Sequence, residues 1–196
     1  MIRLENITLS YQDKTVLKDF SCELEEGGRY ALTGPSGIGK TTLLRVLAGL
    51  EKPQAGRVIL PEGLKLRMVF QEDRLLPWKN VLDNVRLENG EEELARRLLE
   101  ALGLAQEASS YPAALSGGMK RRAAIARALC AEPEVLLLDE PFNGLDEALK
   151  ERTADLLFGN TLIPAPRLIV CATHDTAVPE AYHLKRLRLE PPEDTV

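Results

Sequence analysis

Between Tyr30 and Leu47 the chain reads YALTGPSGIGKTTLLRVL, a short apolar run, a turn holding Gly34, Gly37 and Gly39, then lysine, threonine and a helical pattern. A strand must enter this turn and a helix must leave it, which is the βα step of an α/β protein. Gly34-Pro35-Ser36-Gly37-Ile38-Gly39-Lys40-Thr41 satisfies G-x-x-x-x-G-K-[ST]. Glycines let successive backbone N–H groups wrap phosphate oxygens. Lys40 supplies a cation for the β- and γ-phosphates, and the Thr41 hydroxyl can ligate Mg²⁺. The stretch implies a bound nucleoside triphosphate, ATP or GTP.

A complement lies downstream. Val135-Leu136-Leu137-Leu138 is an apolar strand that runs into Asp139-Glu140. Alone, such an acidic pair reads as a solvated turn. Beside a phosphate loop, the carboxylates fall at the strand's C-terminal edge, where α/β sheets bind ligands. Asp139 then holds Mg²⁺, and Glu140 orients or deprotonates the attacking water.

Periodicity supplies the frame. Ile2, Leu4 and Leu9, then Leu17, Phe20, Cys22 and Leu24, alternate loosely around the polar turn Gln12-Asp13-Lys14, which predicts an antiparallel β-rich start. Helical spacing covers Thr41 to Leu50, and strands are expected at Arg57 to Leu60 and Leu66 to Phe70. From Asn80 to Leu104 the pattern is helical, and Leu94, Leu98, Leu99 and Leu102 share one face. A helix is expected near Glu147 to Phe158. Val135 to Leu138 and Leu168 to Ala172 are apolar throughout, as strands covered on both faces must be. Pro179 is expected to interrupt a helix, Leu184 to Leu189 is strand-like, and the Pro-Pro-Glu-Asp tail is expected to fray.

Composition narrows the class. At 196 residues, 44% hydrophobic and 28% charged, the chain can bury the core of one domain with a lobe inserted into it. A formal net charge of -5 opposes a general affinity for nucleic acid. The longest apolar runs fall far below the roughly 20 residues of a membrane-spanning helix. No apolar stretch follows a basic N-terminus, so a cytosolic chain without signal peptide is expected. Cys22, Cys130 and Cys171 are isolated in apolar segments, which suits reduced thiols.

Ala114 to Cys130, ALSGGMKRRAAIARALC, begins another helix with a bare glycine turn. Ser116 can N-cap it, Gly117 and Gly118 carry no side chain to block approach, and the open N–H groups attract a polyanion. This turn lacks a fixed cation of its own. It completes a phosphate site and does not found one. Lys120, Arg121, Arg122 and Arg127 read as a solvated face or as lobe packing.

Leu115-Ser116-Gly117-Gly118-Met119, ahead of Asp139-Glu140, resembles the signature motif of the ATP-binding cassette ATPases, and the resemblance spans almost the whole chain. It implies an α/β P-loop NTPase core with a parallel central sheet, an N-terminal antiparallel β subdomain and an inserted helical lobe at about 72–131, all within one domain, 1–196. It implies that Ser116, Gly117 and Gly118 cap the γ-phosphate held by an opposing subunit. Tyr11 corresponds to the aromatic that stacks on adenine, although a tyrosine near a strand end is otherwise a packing residue. Thr42 extends the phosphate-binding set. Gln71 matches the glutamine that touches Mg²⁺ or the attacking water, Asp146 the loop crossing the dimer interface, and His174 the switch histidine on the γ-phosphate. His183 reads as surface.

Asn143-Gly144 departs from the family's frequent serine–alanine pair, and the region after His174 is abbreviated, so no C-terminal regulatory domain is expected. Leu75 to Val85 resembles cassettes of the nitrate, sulfonate and taurine importers. There Trp78 is either a docking surface for a membrane subunit or a cover for the lobe's core.

The resemblance thus implies an ATP-hydrolysing subunit of a membrane transporter that pairs around two Mg·ATP and imports a small solute, an anion among the candidates. The implied partners are a second copy or a related cassette, transmembrane permease subunits and, indirectly, an extracytoplasmic solute-binding protein, with no nucleic acid. The implied location is peripheral, on the inner face of the cell membrane. Two alternatives stand beside it. A soluble cassette ATPase acting on DNA or ribosomes would carry long coiled coils or a second cassette. A small-molecule kinase would have no use for Ser116-Gly117-Gly118 or His174.

Overall fold

The computed structural model describes residues 1–12, 14–87, 91–159 and 165–191. The chain forms β1 (Ile2–Tyr11), β2 (Lys14–Leu24), β3 (Arg29–Thr33), α1 (Lys40–Leu47), β4 (Ala55–Ile59) and β5 (Leu66–Val69). Helices α2 (Val81–Val85), α3 (Glu92–Ala101) and α4 (Gly117–Cys130) follow. The chain closes with β6 (Val135–Asp139), α5 (Glu147–Phe158), β7 (Leu168–Ala172), α6 (Ala177–Ala181) and β8 (Lys185–Arg188).

Two sheets result. One is antiparallel with strand order β2-β1-β4; the other has order β5-β6-β7-β3-β8, and every pairing in it is parallel. The central strands β6 and β7 are buried at every position, and a strand covered on both faces is built almost wholly of apolar residues. Leu136 and Leu138 of β6, with Ile169 and Cys171 of β7, face a core shared with α2 to α5. Their neighbours Val135, Leu137, Leu168, Val170 and Ala172 face a second core shared with α1 and the antiparallel sheet. The sheet order then fixes the site. Strands β5, β6, β7 and β3 are adjacent, so the loops after their C-terminal ends emerge side by side.

The α/β architecture and its antiparallel start match the sequence reading, with shifted boundaries. Helix α1 ends at Leu47 rather than Leu50, because Gly49 turns the chain with φ 69°. Strand β4 begins at Ala55, short of the expected Arg57, and joins the antiparallel sheet. The region 80–104 holds α2 and α3, with residues 88–90 outside those described. Pro179 corrects an expectation: it does not interrupt a helix but sits in the first turn of α6, where its missing N–H has no intrahelical partner to lose. Asp13 of the expected turn and residues 192–196 of the expected tail lie outside the described residues. Cys22 is partly buried, Cys130 and Cys171 are buried, and all three are free thiols. Among the described residues no helix is long and apolar enough to cross a membrane.

Candidate functional site

The turn between β3 and α1 adopts left-handed backbone at Gly37, φ 74°, and Gly39, φ 110°. Gly39 is constrained twice, since a Cβ there would stand 2.7 Å from Val16 Cγ1. Gly34 is closed in by Ile38, which packs into the second core. No side chain caps α1 and no acid occupies its first turn, so its leading N–H groups remain open to an anion. Lys40, 6% exposed, folds back so that its Nζ donates to the carbonyls of Gly34 at 2.8 Å and Pro35 at 3.1 Å.

Strand β6 delivers the acids opposite. The Thr41 hydroxyl donates to Asp139 Oδ1 at 3.1 Å. Glu140 holds φ 49°, a left-handed conformation costing a non-glycine residue about 1–3 kcal/mol. Its N–H still donates to Ala172 O of β7 at 2.9 Å, which anchors the turn. From the end of β7, the His174 N–H donates to Glu140 Oε2 at 3.3 Å. His174 Nε2 lies 3.2 Å from Glu140 Oε1 and 3.5 Å from Lys40 Nζ. Burial pushes both carboxyls above the ordinary carboxylate range; the Thr41 bond, Arg121 and Lys40 pull Asp139 back, and His174 and Lys40 pull Glu140 back. Burial likewise lowers Lys40, against the pull of Glu140 and Asp139.

These groups line a cleft of about 340 Å³ with Tyr11, Ser36, Gly37, Gly39, Thr42 and Gln71. Tyr11 is 44% exposed at its mouth. Val16 and Asn143 also line it, and neither was singled out from the sequence as a site residue. Val16 carries no signal there, being an ordinary apolar strand residue, whereas Asn143 stood in the turn already noted as unusual. The remaining residues expected at the site do not line this cleft. Ser116 N-caps α4, accepting from Met119 N at 3.2 Å, and Asp146 N-caps α5, accepting from Leu149 N at 2.9 Å. A Cβ at Gly117 would meet nothing within 4 Å, whereas one at Gly118 would stand 2.8 Å from Gly144 O.

Of the four basic residues of α4, the three arginines all bond to main-chain carbonyls outside the helix. Arg121 and Arg122 are buried at 4% and 5% exposure. Arg122 donates to Leu102 O and Gly103 O at the end of α3, and Arg127 donates to Arg74 O and Asp73 O, so these side chains pack the helices. Trp78 is 70% exposed and does not cover the core.

A hydroxyl and a carboxylate oxygen in contact are the hard donors Mg²⁺ takes, and an uncapped helix start with a buried lysine suits a triphosphate. A parallel sheet whose adjacent strand ends converge on such a loop defines the class of P-loop nucleoside triphosphatases. Residues 17–143 match the sequence profile of the ABC transporter family. An aliphatic sulfonates import ATP-binding protein, SsuB 1 of Rhodococcus jostii, is 48% identical over 170 residues, covering 84% of this chain and 69% of its own. Its namesake in Shouchella clausii is 44% identical over 177 residues, covering 89% and 71%. The dimeric structure of MJ0796, a bacterial ABC transporter cassette, superposes with TM-score 0.85 at 30% identity, over 98% of this chain and 97% of that one. A dimeric post-hydrolysis state of MJ0796 bound to ADP and phosphate gives TM-score 0.84 at 29% identity, over 97% and 94%. The chain belongs to the ABC transporter family and is an ATPase with ATP and Mg²⁺ as cofactors.

Proposed function

We propose that this chain is the nucleotide-binding subunit of an importer for small anions of the aliphatic sulfonate class, working as a pair of cassettes around two Mg·ATP. The carrying observation is a division of labour. The cleft gathers Lys40, Thr41, Asp139, Glu140 and His174, while the open N-terminal turn at Ser116-Gly117 lies outside it. A turn that attracts anions yet is absent from its own chain's cleft fits the cleft of a second copy or a related cassette. The sulfonate-import names of the relatives support the transport class.

In this reading the loop N–H groups and Lys40 hold the phosphates, and Tyr11 stacks on the base. Thr41, Asp139 and Gln71 would hold Mg²⁺, which when bound neutralises charge developing on the transferred phosphoryl group. Lys40 leaves the Gly34 and Pro35 carbonyls to meet the triphosphate. Glu140 Oε1 then takes a proton from the attacking water, and His174 Nε2 turns from the carboxylate toward the γ-phosphate. Ser116, Gly117 and Gly118 of the opposing cassette complete the phosphate cage, and Asp146 shapes the loop between the two sites. The inserted lobe, about 72–131, presents exposed Trp78 to a permease helix. The chain therefore sits on the inner membrane face through its permease, with a solute-binding protein outside.

The test is dilution. Specific ATPase activity should fall as the chain is diluted through the dimer dissociation constant; activity per molecule that stays constant at extreme dilution removes the shared-site reading. Copurification with DNA or ribosomes in place of a membrane protein would favour the soluble alternative.

A further inference from the structure

Gln71 lines the cleft, yet it stands on an exposed loop two residues past the end of β5, which among the described residues is an edge strand paired with β6. Something must hold it. Arg121, one turn into α4, points its whole guanidinium fork at that loop. Nη1 donates to Phe70 O, Nη2 donates to Gln71 O, and Nε lies 3.4 Å from Asp73 Oδ1. All three contacts fall between residues 70 and 73, and the side chain that makes them is buried. A planar fork that meets two carbonyls and a carboxylate fixes orientation as well as distance, which a single ammonium cannot do. Its burial keeps water from competing for the same oxygens.

We propose that Arg121 is the positioning residue for Gln71, holding its main chain so that the side-chain amide reaches Mg²⁺ or the attacking water. This rests on the role given to Gln71 above. Arg121 itself does not line the cleft. It sets where α4 places the glutamine, so the helix that offers Ser116 to one site also sets Gln71 in the other.

The experiment is a double-mutant comparison of Arg121→Met, Gln71→Ala and the pair, with kcat, the ATP KM and thermal melting measured for each purified chain. If Arg121 acts through Gln71, R121M lowers kcat about tenfold in the natural background and less than twofold once Gln71 is alanine, with KM held by Lys40 and Thr41. Equal losses in both backgrounds, or no loss in the first, overturn the proposal while leaving the Gln71 role intact. A Gln71→Ala chain as fast as wild type removes that role and the proposal with it. Should R121M lose ATP binding or melt early, Arg121→Lys, which keeps the charge and loses the fork, carries the same comparison.

Discussion

The Thr41 hydroxyl donates to Asp139 Oδ1 at 3.1 Å across 98 positions of sequence. One residue lies in the first turn of α1 and the other ends β6, so this contact joins the two halves of the site. It also holds together the oxygen pair that Mg²⁺ would take.

Asp139→Asn keeps the shape and removes the charge. The amide can still accept from Thr41, so the fold should survive, but a neutral oxygen is a poor Mg²⁺ ligand. ATP affinity measured without Mg²⁺ should stay within about twofold of wild type, while the gain on adding Mg²⁺ should shrink by about tenfold, or 1.4 kcal/mol. Titrations of nucleotide with and without the metal check this. A full Mg²⁺ response in the variant would remove Asp139 from the metal site.

Glu140→Gln tests the base. Glutamine has the same length and can hold the same left-handed turn, but cannot take a proton. Turnover should drop about 10²–10⁴-fold. ATP should then persist between paired chains, read as a nucleotide-bound dimer in size-exclusion chromatography. Turnover equal to wild type would exclude the assignment.

How much of this was legible beforehand depends on what each signal encodes. Lys40, Thr41, Asp139 and Glu140 were readable because phosphate chemistry demands those residue types at strand ends, and strand ends are marked by apolar runs. His174 was reached through the family resemblance, and it stands two residues past the end of the apolar strand Leu168–Ala172. Arg121 was not, because its partners are carbonyl oxygens of residues 70 and 71, and main-chain acceptors leave no trace in side-chain identity. The sequence shows Gly118 as a residue with no side chain to block approach, but gives no sign of the second demand for glycine there, the nearness of Gly144 O in the same chain. The place of β4 in the antiparallel sheet was equally hidden, since pairing across 50 positions is set by topology rather than by local pattern.

Lys150 links α5 to the loop of His174. Its Nζ sits 2.8 Å from both Asp175 Oδ2 and Glu147 Oε2. Those partners push the lysine up to about 12, and the Lys150 bond with two backbone N–H groups holds Asp175 below its ordinary range despite burial. A lysine raised on folding stabilises the fold fully below its unfolded value and loses this as pH rises through about 12. A depressed aspartate stabilises above its unfolded value and loses this as pH falls through the folded one. Lys150→Met should therefore be less stable than wild type by a constant margin near neutrality. The margin should narrow below about pH 4, the unfolded aspartate range. Denaturant midpoints for both chains across pH check it, and a margin that does not change with pH would place the effect in packing alone.

The adjacent glycines of the α4 turn should respond oppositely to alanine. At Gly117 an added Cβ meets nothing within 4 Å, and its φ is not positive, so alanine should stabilise the isolated chain by roughly 0.4–1 kcal/mol. At Gly118 the Cβ would stand 2.8 Å from Gly144 O, a backbone atom that can yield only by shifting the loop before Asp146. Overpacking of that kind costs about 1–3 kcal/mol. Melting curves therefore separate the two before any activity is measured. If the open face at Gly117 receives a phosphate from the opposing cassette, Gly117→Ala should be the more stable protein and still lose ATPase activity at concentrations where wild type pairs. A Gly117→Ala chain that is both more stable and fully active would mean that nothing approaches that face.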